Sequence, residues 1–203
     1  MSAVLREISS DQITVNEREF AARLGQPVSA LQPGLREECE ALLREAAVYR
    51  YCFRKTTVTR PGEDELDLGF GAFYSHALTL NLRGCEEAVL FAATLGAGVD
   101  RLMKRLSVTS PARHFIVNAL ASAKAEALCD LANVEIATQV LGETGLSCAP
   151  RFSPGYGDVP LSVQPGFIQF VNAQKLLGIT LSDAYFMYPT KSVTAVAGIR
   201  NNL

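Results

Sequence analysis

The chain has 203 residues, of which 48% are hydrophobic and 20% charged, with a formal net charge of −2. That length allows a substantial core in one domain or two small ones. The lack of any Lys/Arg-rich run excludes a general nucleic-acid binder and a polybasic membrane segment. The opening Met1-Ser2-Ala3-Val4-Leu5-Arg6-Glu7 places charges where a secretory leader needs an apolar run. The most apolar stretch, Ala88 to Val99, is too short to cross a bilayer. The expectation is a cytoplasmic protein with neither membrane nor nucleic acid as a partner. Cys39, Cys52, Cys85, Cys129 and Cys148 are odd in number, widely spaced and without a CxxC pair. They read as isolated thiols in a reducing compartment.

In chain order, residues 3–8 predict a short strand. Asn16 followed by Glu19 opens a helix in the manner of a capping box; Phe20, Ala21 and Leu24 give it one apolar face and Gly25 ends it. Leu35, Cys39, Leu42, Leu43 and Ala46 predict a second helix from Leu35 to Ala47. From Val48 to Val58 the period changes: Tyr49, Tyr51 and Phe53 alternate with Arg50, Cys52 and Arg54, as in a half-buried strand. Pro61-Gly62-Glu63-Asp64 is a turn, and Leu66 and Leu68 predict a strand pairing back on Val48–Val58 through a long loop. Ser75 to Leu82 is ambiguous, one or two helical turns at most.

Ala88 to Thr94 is a continuous apolar run, the pattern of a strand buried on both faces. The Leu95–Gly98 break leads to a helix over Val99–Leu106. Ser110-Pro111 opens the longest element, a helix from Ala112 to Leu141 that is rich in alanine and punctuated at its end by Gly142 and Gly145. Phe167 to Ala173 predicts a short helix. Ala184–Tyr188 and Ser192–Ile199, split by Pro189-Thr190-Lys191, predict a hairpin. With no repeat, linker or low-complexity segment, the expectation is a single domain over residues 1–203. Its fold class is α+β, with a largely antiparallel sheet and a long central helix.

Few chemical motifs survive inspection. Gly96-Ala97-Gly98 follows a strand and precedes a helix, but Arg101 stands where a dinucleotide fingerprint needs its third glycine. His76 and His114, the only histidines, lack metal-ligand partners at suitable spacing. Ser153 lies outside a GxSxG elbow, and no nearby histidine could activate it, so no catalytic residue is assigned.

The stretch Arg151-Phe152-Ser153-Pro154-Gly155-Tyr156-Gly157-Asp158 is different. A permanent cation, an aromatic hydroxyl and an acid share one bend stiffened by Pro154, and Gly155 lets another molecule approach the backbone. Two readings are open: a tight turn leaving the long helix, or a loop holding Arg151 and Tyr156 around a small carboxylate ligand. Glu126 has two readings as well. It is either an exposed glutamate on the Ala-rich helix or an acid meeting a cation or a ligand hydroxyl.

The order of Leu90-Phe91-Ala92-Ala93-Thr94-Leu95-Gly96-Ala97-Gly98, Ala123-Lys124-Ala125-Glu126-Ala127-Leu128-Cys129-Asp130, the Arg151–Pro160 loop and Met187-Tyr188-Pro189-Thr190-Lys191-Ser192-Val193 resembles the activation (reactivation) domain of cobalamin-dependent methionine synthase, in its stand-alone form. The likeness runs from about Glu17 to Ile199. The Arg-x-x-x-Gly-Tyr loop and the Pro-x-x-Ser-Val piece are its most specific parts.

This resemblance implies a component that binds S-adenosylmethionine and supports reductive remethylation of cobalamin. The cobalamin would be carried by a partner protein, a corrinoid-binding methionine synthase or related methyltransferase, with flavodoxin or ferredoxin as electron donor. It further implies that Arg151 meets the methionyl carboxylate, that Tyr156 lies beside the ligand, that Gly155 and Pro154 shape the approach, and that Glu126 favours the cationic centre. The family's acidic ligand contact before its first helix has no clear counterpart at Asp11 or Glu17, and its late tyrosine pair has none before Leu203. Part of the donor pocket is then absent or supplied by a partner. The alternative is a non-catalytic docking module that caps the corrinoid of a partner methyltransferase without binding a methyl donor.

Overall fold

The computed structural model describes residues 2–141 and 146–201; Gly142 and Gly145 lie outside them. The first half comprises β1 (Val4–Ile8), α1 (Glu17–Leu24), α2 (Leu35–Ala46), β2 (Tyr49–Thr57), β3 (Thr59–Gly62), β4 (Glu65–Asp67), β5 (Ala72–Tyr74) and α3 (His76–Asn81). Then come β6 (Glu87–Thr94), α4 (Ala97–Thr109), α5 (Pro111–Leu141) and β7 (Leu146–Cys148). The last part holds α6 (Gln164–Phe170), α7 (Ala173–Leu177), β8 (Thr180–Leu181), β9 (Met187–Tyr188) and β10 (Ser192–Asn201).

A five-stranded antiparallel sheet, ordered β1-β2-β6-β10-β7, divides two apolar layers. Strand β6 shows why. Val89, Phe91 and Ala93 face the layer of α1, α2, α4 and α5, while Ala88, Leu90 and Ala92 face the layer of α3, α6, α7 and the β3-β4-β5 sheet. An unbroken apolar run is what a strand covered on both sides requires. Removing Leu90 or Phe91 from water contributes about 2–3 kcal/mol each.

Helix α5 lies across the first face. Its small residues Ala121, Ala123 and Ala132 are fully buried beside Leu120 and Leu128, so the helix axis can sit close to its neighbours. Helix α1 starts where the sequence placed it, with Asn16 Oδ1 accepting from the backbone N–H of Arg18 and Glu19. The reciprocal half of the capping box goes elsewhere, since the Glu19 carboxylate takes the Arg23 guanidinium at 2.6 Å.

Four expectations need correction. Strand β2 is not half-buried along its length: Tyr51, Cys52 and Phe53 are all buried, because β1 and β6 flank it and both layers cover it. With both its edges occupied, β2 cannot take β4, which pairs with β3 and β5. Likewise β10 does not fold back on β9. Val193, Ala195 and Ile199 face one apolar layer and Val196 the other, and both edges of β10 are taken by β6 and β7, leaving β9 to pair with β8. The helix predicted over Phe167–Ala173 is two short ones, broken at Asn172, whose φ of 57° is left-handed.

The Gly96-Ala97-Gly98 segment has a packing explanation. Gly96 adopts a φ of 77° against Val48, and a Cβ on Gly98 would overlap the Ala46 carbonyl oxygen. The glycines therefore bring α4 onto the end of α2.

Candidate functional site

The stretch Arg151–Asp158 begins as an extension of the sheet. Phe152 and Val196 on β10 exchange backbone hydrogen bonds, each 2.8 Å long. Residues adjacent along an extended chain point to opposite faces. Here Arg151 turns towards α5, and Phe152 packs into the layer of α3 and α6.

Arg151 lies against one face of α5. Its Nη2 donates to Glu126 Oε2 at 2.8 Å and its Nη1 to Asp130 Oδ1. Glu126 and Asp130 are four residues apart, so one helical face presents both carboxylates. A second cation, Arg23 of α1, approaches Glu126 Oε1 at 3.7 Å. Burial pushes the Arg151 guanidinium down, but Asp130 and Glu126 more than offset this and raise its pKa above the usual value. With Glu19 on the other side of Arg23, the cluster holds two cations and three anions.

Beyond Phe152 the chain closes into a bend. Gly155 N–H donates to Val159 O at 2.9 Å, Tyr156 N–H to Ser153 O at 3.0 Å, and Val159 N–H to Tyr156 O at 3.1 Å. Gly155 has a φ of 84°, and a Cβ there would stand 2.7 Å from Leu161 Cδ2. The positive φ calls for glycine, whereas the flexible Leu161 side chain could move aside. Pro154 and Phe152 help line a residual space of only about 10 Å³ beneath the bend, together with Val159 and Phe167. Tyr156 sits on top, 71% exposed, its ring edge-on to Phe152 at 5.6 Å.

The far end of the bend is fastened by Asp158. Its carboxylate accepts from Ser75 Oγ and from the backbone N–H of His76 (2.8 Å) and Ala77 (3.2 Å) at the start of α3. The Ser75 hydroxyl foremost, then the Ala77 and His76 amides, hold Asp158 below the usual carboxylate range. His76 Nδ1 lies 2.8 Å from Asp64 Oδ2, a partner not visible in local spacing.

The structure thus brings Arg151 together with Glu126 and puts Pro154, Gly155 and Tyr156 in one rigid bend. It does not bring Arg151 and Tyr156 into contact: the first is held by α5, the second by Phe152. Sequence reading gave no partner to two carboxylates, Asp130 and Asp158. Asp130 could have been found from its four-residue spacing to Glu126, whereas nothing local ties Asp158 to Ser75. Among the described residues, a cleft of about 410 Å³ beside Arg101 and Arg105 and another of about 530 Å³ beside Gln169 and Asn172 lie away from the bend.

Both arms of the Arg151 fork are taken by Glu126 and Asp130 on the α5 side, while the exposed Tyr156 ring lies beside Phe152. No helix among the described residues is long and apolar enough to cross a membrane.

No family model matches the chain, and no curated protein does. Among solved structures it is similar to the MetH reactivation domain bound to AdoHcy, with a TM-score of 0.76 at 14% identity. The alignment covers 98% of this chain and 78% of that one. The two share a fold: mixed α and β, with antiparallel sheets and a long helix.

Proposed function

We propose that this protein binds S-adenosylmethionine, or its demethylated product, at the Arg151–Tyr156 bend and serves as a reactivation component for a cobalamin-dependent methionine synthase. The observation that carries the reading is the Arg151 guanidinium, held at a bend of the same fold as a domain described with AdoHcy bound. The methionyl carboxylate competes with Asp130 for Arg151. Glu126 remains as countercharge for the ligand's cation. The corrinoid, brought by a partner methyltransferase, supplies the nucleophile; an external low-potential donor such as flavodoxin or ferredoxin supplies the electron. The role of this chain is to bind and orient the donor.

One observation favours a second reading. Arg151 already has two carboxylates of its own and stands apart from Tyr156. A docking module that caps a corrinoid without a methyl donor would need no more. Calorimetric titration with S-adenosylmethionine separates the two, since the docking module gives a flat trace at millimolar ligand. Capture of the chain by a corrinoid-loaded methionine synthase module is expected under both readings, and its absence contradicts both.

A further inference from the structure

Asp158 belongs to the singled-out stretch, yet the proposed function gives it no contact with ligand. Its surroundings explain why it is there. The bend leaves the sheet at Phe152 and has no further strand pairing; between Ser153 and Val159 its backbone bonds close on themselves. Such a loop is fixed relative to the fold by what grips its ends and by the packing of Phe152 and Val159 into the layer of α3 and α6. One end is gripped by the Phe152–Val196 bridge and the Arg151 ion pairs. The other has Asp158, which accepts from three consecutive residues, Ser75, His76 and Ala77. Gly157 adds a close fit, since a Cβ there would stand 3.2 Å from the Ala77 Cβ and from Phe152 Cζ. The partners of Asp158 lie 81–83 residues away in sequence, so these contacts serve tertiary placement and not local turn formation.

We infer that Asp158 is a positioning residue for the ligand site: it pins the Tyr156 end of the bend to the start of α3, keeping the bend in the one arrangement that accepts the donor. The inference rests on the proposed function for its ligand but on geometry alone for its mechanical part. A released bend samples several arrangements, and apparent affinity falls by the fraction that remains competent. Loss of the pin therefore slows association and leaves dissociation from the closed site nearly unchanged. A residue touching the ligand would instead act on dissociation.

The test compares Asp158→Asn and Asp158→Ala with the wild-type chain. Asparagine keeps one acceptor and turns a donor towards the amides; alanine removes all three bonds. Amide hydrogen exchange without ligand should show Gly155 and Val159 losing protection by at least about tenfold in the alanine variant and less in the asparagine variant. The amides of β6 should be unaffected. Stopped-flow binding of S-adenosylmethionine should show a lower association rate with an unchanged dissociation rate. Unchanged exchange in the bend overturns the mechanical part. Altered exchange with unaltered association overturns the role in ligand binding. If the wild-type chain binds no S-adenosylmethionine, the proposed function falls, while the exchange result still decides whether Asp158 pins the bend. Should the alanine variant fail to fold, the asparagine variant carries the same comparison.

Discussion

Arg151 Nη2 stands 2.8 Å from Glu126 Oε2, joining the bend after the sheet to the middle of the long helix. Asp130 takes the other arm of the same guanidinium. A planar fork between two carboxylates is a well-oriented cation, and what it lacks is a free arm. Any ligand carboxylate must displace one of its partners. Asp130, whose side chain is 68% exposed, is the easier one to release.

Replacing Arg151 by alanine should weaken S-adenosylmethionine binding by about 1.5–3 kcal/mol, the usual loss for a charge-assisted hydrogen-bonded pair. Arg151→Lys should fall between, because an ammonium keeps the charge and loses the fork. The fold should survive both changes, since partly exposed ion pairs contribute about 0–1 kcal/mol. Calorimetry on both variants, with thermal melts alongside, checks this.

The two carboxylates should respond in opposite directions. Asp130→Asn frees one arm of Arg151 and should tighten binding by roughly threefold, the scale of an exposed ion pair. Glu126→Gln removes the countercharge for the ligand's cation and should weaken it. If both changes tighten binding, Glu126 is a competitor and not a ligand contact.

Gly98→Ala should destabilise the protein by about 2–3 kcal/mol, as overpacking against a backbone atom does. The added Cβ meets the Ala46 carbonyl, which no side-chain motion can relieve. At roughly 2–4 °C per kcal/mol for a chain of this size, the melting temperature should drop by several degrees or more. A neutral effect would mean that α2 and α4 are not packed as described.

Alkaline pH should unfold the protein early. Burial pushes the Cys52 and Cys129 thiols up from 9.0 to about 12, and the Tyr49 phenol from 10.0 to about 12. Each is raised in the folded chain, so its contribution is complete below the unfolded pKa and lost as pH rises through the folded value. Burial raises Cys39, Cys148 and Tyr51 as well, and it lowers Lys124 and Lys191, which act in the opposite sense, so the expected fall is the net effect of the raised thiols and phenols over the two lysines. Urea midpoints should decline between pH 9 and 12. At pH 9, Cys52 and Cys129 should resist iodoacetamide in the folded chain and react once it is unfolded.

The fold was legible wherever local pattern decides structure. The apolar run at Ala88–Thr94, the alanine-dense helix ending at Leu141 and the cap at Asn16 all follow from residues close in sequence. Pairing order was not, because the preference of β10 for β6 and β7 over β9 depends on which edges are vacant. The site divides in the same way. Proline and glycine announced a rigid bend, and Glu126 stood out on its helix. The Asp158 contacts with α3 and the opposite facing of Arg151 and Phe152 arise only once the chain extends the sheet at Val196.

The most direct test is calorimetric titration of the purified chain with S-adenosylmethionine, repeated with Arg151→Ala. The account predicts saturable one-to-one binding that the substitution weakens at least about tenfold. A flat wild-type trace at millimolar ligand, or an affinity indifferent to Arg151, would contradict it.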